Sequence, residues 1–207
     1  MNHNKEKREP RKPVQQRGIN TAQKIIEAGR RCFESQGYHG CNSKDIAKEA
    51  GVGIGTLYGY FKDKKEIFIE VINLFYDEIA EKALTIEEKD LALLGKPKNL
   101  VSMMIDRLLA AHTIAPDLHR EITAVNYSDP EIHKLIESKD KDILLKLKAL
   151  LTTVEDKIKV KDLEAASYVI FRTSEEIIHN LKMFDSPLEE DRVLSETKNM
   201  IFKYLFL

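Results

Sequence analysis

From Lys64 onward the apolar residues recur at spacings of three and four: Ile67, Phe68, Val71, Ile72, Phe75, Ile79, Ala83. That spacing lays one stripe along one side of a helix for several turns, and a strand, with its period of two, cannot present it. Val101, Met104, Ile105, Leu108, Leu109 and His112 repeat the pattern. It continues from Pro130 to about Leu151, from about Lys161 to Phe184, and in a last helix running to Leu205. Breakers stand between these runs: Gly95 with Pro97, then Pro116, Pro130 and Pro187. The residue before a proline is pushed out of the helical region, so each proline marks a boundary. Ser128 or Asp129 before Pro130, and Ser186 before Pro187, look like helix caps with proline in the first turn. No alternating pattern is long enough for a strand. The expected fold is all-α, with about nine helices.

The front third has the same period in shorter pieces. Asn20 with Gln23 three residues later is a capping pattern, and Ile25, Ile26, Gly29 and Phe33 mark one face of a helix ending near Gly37. Asn42 with Asp45 caps the next helix, whose buried face is Ile46 and Ala47, and Gly51 stands where a left-handed cap ends it. Thr56 to Phe61 supplies a further short helix, with Leu57, Tyr58 and Phe61 available for burial. Two short helices joined by a glycine-bearing turn make a helix-turn-helix, in which the second helix enters a major groove. Gly53, Gly55 and Gly59 fall in or beside that second helix, where each glycine costs about 1 kcal/mol against alanine. Such a cost suits a surface arranged for close approach. These glycines remove side chains that would hold a duplex away, and Gly53 and Gly55 let backbone come near a phosphate.

Charge supports this placement. Residues 1–66 hold 14 Lys and Arg against 8 Asp and Glu, a net of +6, while the remaining chain is net −7. Opposite signs in the two parts are expected when one part meets a polyanion. With 43% hydrophobic and 32% charged residues, the 207-residue chain reads as globular. Two cysteines are too few for a disulfide framework. The opening MNHNKEKREPRKPVQQRG lacks the apolar core of a signal peptide, and no run nears the ~18 apolar residues of a membrane span. The expectation is a reducing cytoplasm and no membrane partner. Residues 1–18 read as a flexible basic arm that could reach an adjacent minor groove.

The stretches IIEAGRRCFESQGY and DIAKEAGVGIGTLYGYFKDKKEIF resemble the amino-terminal domain of the TetR family of bacterial transcriptional regulators. The likeness covers about Ile25 to Phe68 and includes Phe33, Gly37, Tyr38, Asp45-Ile46-Ala47, Ala50-Gly51-Val52, Gly55-Thr56-Leu57-Tyr58, Tyr60-Phe61 and Lys64. It implies a homodimeric regulator, usually a repressor, with a DNA-binding domain over 19–66 and a helical effector-binding and dimerisation domain over 67–207. It also implies DNA contacts from Lys44, Thr56 and Tyr58, with Tyr60 and Lys64 on phosphates. The sequence departs from the family where Gly53, Ile54 and Gly59 stand, positions that are often polar or basic. Direct base reading is then thin, resting on Thr56, Tyr58 and Lys44, with Ile54 suited to a thymine methyl.

The same resemblance implies that the last two long helices pair with those of a second subunit. The stripes for that seam are Ala165, Ala166, Val169, Ile170, Thr173, Ile177 and Leu181 on one helix. Val193, Thr197, Met200, Ile201 and Tyr204 supply the other. Either stripe can instead face the protomer's own core. An effector pocket is expected between the middle helices, and a largely apolar guest would suit Met103, Met104, Leu108 and Phe171, with His112, His119, Asn126 and Tyr127 as polar groups. His112, His119 and Glu121 suggest a metal only weakly, since Pro116 interrupts the chain between the histidines and no familiar ligand spacing results. No metal or cofactor is therefore expected. Cys32 reads as a small core residue and Cys41 as a loop residue, able to report oxidation only if they meet. No nucleophile–base pair or phosphate loop supports catalysis. The leading reading is a repressor that binds a palindromic operator and is released by a small effector. The alternative is a ligand-independent DNA-organising or partner-binding protein of the same fold, which a dry, filled core would favour.

Overall fold

The computed structural model describes residues 16–184 and 186–207. Among the described residues ten α-helices run in the order α1 (Gln16–Gly40), α2 (Ser43–Glu49), α3 (Ile54–Tyr60), α4 (Lys64–Leu84) and α5 (Leu91–Leu94). They continue with α6 (Pro97–His112), α7 (Pro116–Asn126), α8 (Pro130–Thr152), α9 (Leu163–Met183) and α10 (Glu190–Phe206). Among the described residues there is no strand, so the all-α expectation holds. The basic arm lies mostly outside the described residues, although Gln16, Arg17 and Gly18 already belong to α1.

Local chemistry sets most boundaries. Asn42 Oδ1 accepts from the backbone N–H groups of Lys44 and Asp45 while Asp45 accepts from Asn42 N–H, a reciprocal cap that starts α2. Gly51 has φ +66, the left-handed value that turns the chain from α2 toward α3. Prolines open α6, α7 and α8, and Asp129 caps α8 through the N–H groups of Glu131 and Ile132. Two expected caps are not used. Asn20 lies inside α1, where its side chain accepts from Gln16 Nε2 at 2.9 Å. Ser186 closes a small turn on Leu188 instead, and α10 begins only at Glu190.

Two apolar cores hold the helices. The first joins Ile25 and Phe33 of α1, Ile46 of α2 and Leu57 of α3 to Phe68 and Phe75 of α4, and runs on into Leu118 and Ile122 of α7 and Ile132 of α8. Fully burying side chains of this size contributes roughly 1.5–3 kcal/mol each. The helix-turn-helix therefore shares its core with the first half of α4 and with α7. Gly29 lets α1 cross α4 closely, since a Cβ there would sit 2.6 Å from Ile67 Cγ2. The second core gathers Val101 and Ile105 of α6, Ile143 and Leu147 of α8, Ile170 and Ile178 of α9 and Ile201 and Leu205 of α10.

The cysteines depart from expectation. Cys32 on α1 and Cys41 in the α1–α2 junction form a disulfide, with Cα atoms 5.8 Å apart. Their reading as separate core and loop residues is corrected: the break at Gly37 folds the end of α1 so that the two side chains meet.

Candidate nucleic-acid interface and effector cavity

α3 is anchored by one face. Leu57 is fully buried and Phe61 nearly so, while Lys44, Gly53, Ile54, Gly55, Thr56 and Tyr58 are all exposed, Ile54 at 39% and Tyr58 at 50%. A Cβ added to Gly55 or Gly59 would meet nothing within 4 Å, and one on Gly53 only Thr56 Oγ1 at 3.8 Å. Packing inside the protomer thus gives no reason for these three glycines. Tyr60 is half-buried against the first core. Lys64 is placed differently from the others. Its Nζ donates to the carbonyls of Tyr38 at 2.5 Å and Cys41 at 2.8 Å and sits 4.5 Å from the Tyr38 ring centre, and burial lowers its pKa. Here Lys64 stitches α4 to the α1–α2 junction.

That junction has a second tie, which comes from α7. At Gly37 the backbone turns to φ 71, ψ 167, interrupting α1. The freed N–H of Tyr38 donates to Glu121 Oε2 of α7 at 2.9 Å. A Cβ on Gly37 would stand 3.0 Å from that carboxylate. Lys65 of α4 adds ion pairs to Asp129 and Glu131 at the start of α8, at 2.8 and 2.7 Å.

The expected dimer stripes divide. Ala166, Ile170, Thr197 and Ile201 are buried in the protomer's own interior. Ala165, Val169, Met200 and Tyr204 are exposed, and Thr173, Ile177, Leu181 and Val193 are half-buried. What remains is an outward apolar strip on α9 and α10, to which Tyr168 and Leu188 add exposed surface.

The effector residues divide too. A narrow apolar cavity of about 40 Å³ lies between α4, α6, α8 and α9. Met104, Leu108 and Phe171 line it, together with Ile79 and Leu147, and Ser174 and Glu175 are its polar lining. Met103 is not among its walls. Asn126 and Tyr127 lie at the far end of α7, where Asn126 meets His133 at 3.0 Å and Tyr127 is 86% exposed. They are not brought to the cavity.

His112 and His119 are buried just beyond it, joined by His179 from α9. The three rings have centres 4.4 to 5.3 Å apart. His112 Nδ1 faces the Leu108 carbonyl at 2.8 Å and must donate to it, because a carbonyl has no proton to give. His112 Nε2 lies 3.3 Å from Glu175 Oε2 but out of line for a hydrogen bond. His119 Nε2 and His179 Nε2 are 2.8 Å apart, and His119 Nδ1 has no partner. Burial, with repulsion from His179 and His112, pushes His119 down to about 2. Burial also lowers His179, with Glu175 opposing and His112 assisting. For His112 burial pulls downward, but the Glu175 carboxylate and Leu108 carbonyl outweigh it and the net direction is up. The sequence reading missed His179 and Glu175. The available signal was their four-residue separation, which puts both on one face of α9. Glu121 was grouped with the histidines but points to Tyr38 instead.

A helix-turn-helix with a bare outward face, set on a larger helical body with an internal cavity, is the build of a DNA-binding regulator. The family described as "Bacterial regulatory proteins, tetR family" matches residues 25–71, and "Tetracyclin repressor-like, C-terminal domain" matches residues 97–205. The chain is 30% identical over 168 residues to the "Fatty acid metabolism regulator protein" of Bacillus subtilis, covering 78% of this chain and 83% of that one. The solved structure of the fatty acid degradation regulator FadR from Bacillus halodurans superposes with a TM-score of 0.61 at 26% identity, over 93% of this chain and 96% of that one. A transcriptional regulator from a Rhodococcus species shares the fold, with a TM-score of 0.70 at 16% identity over 90% and 98% of the two chains. The chain belongs to the TetR family of transcriptional regulators, whose members are DNA-binding regulators and not enzymes. Among the described residues no helix is long and apolar enough to cross a membrane.

Proposed function

We propose that this regulator is a repressor that binds a palindromic operator as a homodimer and leaves it when a small, largely apolar effector enters the α4–α6–α8–α9 cavity. The observation that carries the reading is the double role of α4. It starts immediately beyond the recognition helix, and its far half, at Ile79, Ala80, Ala83 and Leu84, walls the cavity. A guest that parts those walls tilts the same helix on which α1–α3 are packed.

The division is then 19–66 for DNA and 67–207 for effector and dimer. DNA contacts come from Lys44, Ile54, Thr56 and Tyr58, with the three glycines permitting backbone approach. The exposed apolar strip of α9 and α10 suits the seam between subunits. The cavity's lining and the fatty-acid regulators among the relatives favour an acyl chain as the guest. Selection of binding sites from a random duplex pool, followed by release assays with free fatty acids and their thioesters of graded length, tests this. A palindrome released by one range of chain lengths supports the reading. Salt-sensitive binding without a consensus refutes it and returns the DNA-organising alternative.

A further inference from the structure

The clustering of three imidazoles in the interior calls for an explanation that ordinary packing does not supply. α6 ends at His112, Pro116 starts α7 after a short turn, and α7 folds back so that His119 faces His112. α9 then brings His179 against both. One coordinating atom from each ring lies within 4.8 Å of the others. His112 has a side chain only 1% exposed, yet its Nε2 has no hydrogen-bond partner and stands 3.3 Å from Glu175 Oε2. A buried polar atom left unpaired is costly, and native proteins avoid it unless something else occupies the place.

We propose that His112, His119 and His179, with Glu175 as a fourth ligand, form a site for a first-row divalent cation of the zinc class. The donor set fits. Three neutral imidazoles and one carboxylate are a set that zinc accepts in tetrahedral form, and imidazole donors favour zinc, nickel and copper over calcium or magnesium. With Zn–N distances of about 2.0–2.1 Å, tetrahedral neighbours stand about 3.3 Å apart. The His119–His179 pair at 2.8 Å opens slightly to reach that value, and the wider spacings close by at most about 1.5 Å. His112 is already oriented as metal-bound histidines usually are: its Nδ1–H is held by the Leu108 carbonyl, which leaves the Nε2 lone pair free. Glu175 and His179 stand one helical turn apart on one face of α9, and Glu175 Oε2 lies 3.3 Å from His112 Nε2. Glu175 also borders the apolar cavity.

The position is mechanically informative. An ion there ties α6, α7 and α9 at one point, and α7 carries Glu121, two residues beyond His119, which holds the break in α1. The ion would stiffen the path between the sensor body and the helix-turn-helix.

The test is metal binding by the full chain after chelator treatment, measured by calorimetry with Zn²⁺ and by visible absorption with Co²⁺. The expected result is one equivalent per protomer, a thermal midpoint raised by several degrees, and an intense Co²⁺ spectrum of tetrahedral nitrogen and oxygen ligation. His179→Ala weakens binding by at least about 100-fold, since loss even of outer-shell support costs 10- to 100-fold. Glu175→Gln alters the Co²⁺ bands at unchanged helicity, which keeps the test decisive if His179→Ala folds poorly. Failure of Zn²⁺, Co²⁺ and Ni²⁺ all to bind overturns the proposal. So does binding that both variants retain unchanged, or a thiolate charge-transfer band, which would place the metal on reduced Cys32 and Cys41.

Discussion

Replacing Glu121 tests the tie between α7 and the helix-turn-helix end of the molecule. Its carboxylate accepts the Tyr38 N–H at 2.9 Å, a backbone donor freed by the break at Gly37. A hydrogen bond to a charged group contributes about 1.5–3 kcal/mol, and deleting one partner leaves the other unpaired. Glu121→Ala is therefore expected to destabilise the protein by about that amount. At 2–4 °C per kcal/mol for a chain of this size, the thermal midpoint falls by roughly 3–12 °C. Glu121→Gln keeps an acceptor at lower strength and loses only about 1 kcal/mol. Gly37→Ala fails for a separate reason, because φ 71 with ψ 167 is a region that only glycine occupies readily, at about 1–3 kcal/mol for other residues. Its Cβ also stands 3.0 Å from the Glu121 carboxylate, so the two substitutions should couple by at least about 0.5 kcal/mol in a double-mutant cycle. Thermal and urea unfolding of the wild type, Glu121→Ala, Glu121→Gln, Gly37→Ala and the Glu121→Ala/Gly37→Ala double variant, followed by circular dichroism, measures all of this. Wild-type stability in Glu121→Ala, or strict additivity with Gly37→Ala, would refute the reasoning.

Three further outcomes are expected. Gly55→Ala and Gly59→Ala meet open space, so each should stabilise the fold by about 0.5–1 kcal/mol while weakening DNA binding. Calorimetry and a gel-shift titration separate the two effects, and unchanged DNA affinity would place these glycines off the duplex. Val169→Glu with Met200→Glu puts charge on the exposed strip of α9 and α10 and should give a folded monomer in sedimentation equilibrium; a persistent dimer would move the seam elsewhere. Opening the Cys32–Cys41 bridge, which closes a loop over a sequence separation of 9, should cost about 2–3 kcal/mol by loop entropy. Thermal midpoints with and without reductant read this directly, and no change would mean the bridge holds nothing that packing does not.

Much of this structure was legible because it is local. The caps at Asn42 and Asp129 and the turn at Gly51 use neighbours in sequence, and residue types there have few other uses. Asn20 had the right spacing for a cap but sits mid-helix, because nothing in a four-residue pattern says where α1 starts. The periodicity of α9 and α10 was equally plain, yet it could not tell inward from outward. Ala166, Ile170, Thr197 and Ile201 turn into the protomer, while Val169, Met200 and Tyr204 turn out. The ties at Gly37–Glu121 and Lys64–Tyr38, and the histidine cluster, join residues far apart in the chain. Such pairings depend on how helices cross, which no local pattern specifies.

The size of the cavity bears on how such a regulator would switch. Sites for drug-sized ligands enclose about 300–1,000 Å³, and this one has about 40 Å³. An effector of ordinary size cannot enter without separating α4, α6, α8 and α9. The closed arrangement is thus one state and any effector-bound arrangement is another, which is the condition for a ligand to shift a population. Moving that equilibrium from 1:99 to 99:1 needs about 5.5 kcal/mol of preference for the open state. Burying apolar surface at about 25 cal/mol per Å² supplies this from roughly 220 Å² of newly covered ligand and wall. The apolar lining suits that source of energy, whereas Glu175, the charged group in the wall, would repel an anionic head group when no cation is bound beside it. The guest therefore gains most by burying its tail among Met104, Leu147 and Phe171 and keeping a charged end away from Glu175. Effector strength should then rise with chain length until the opened cavity is filled.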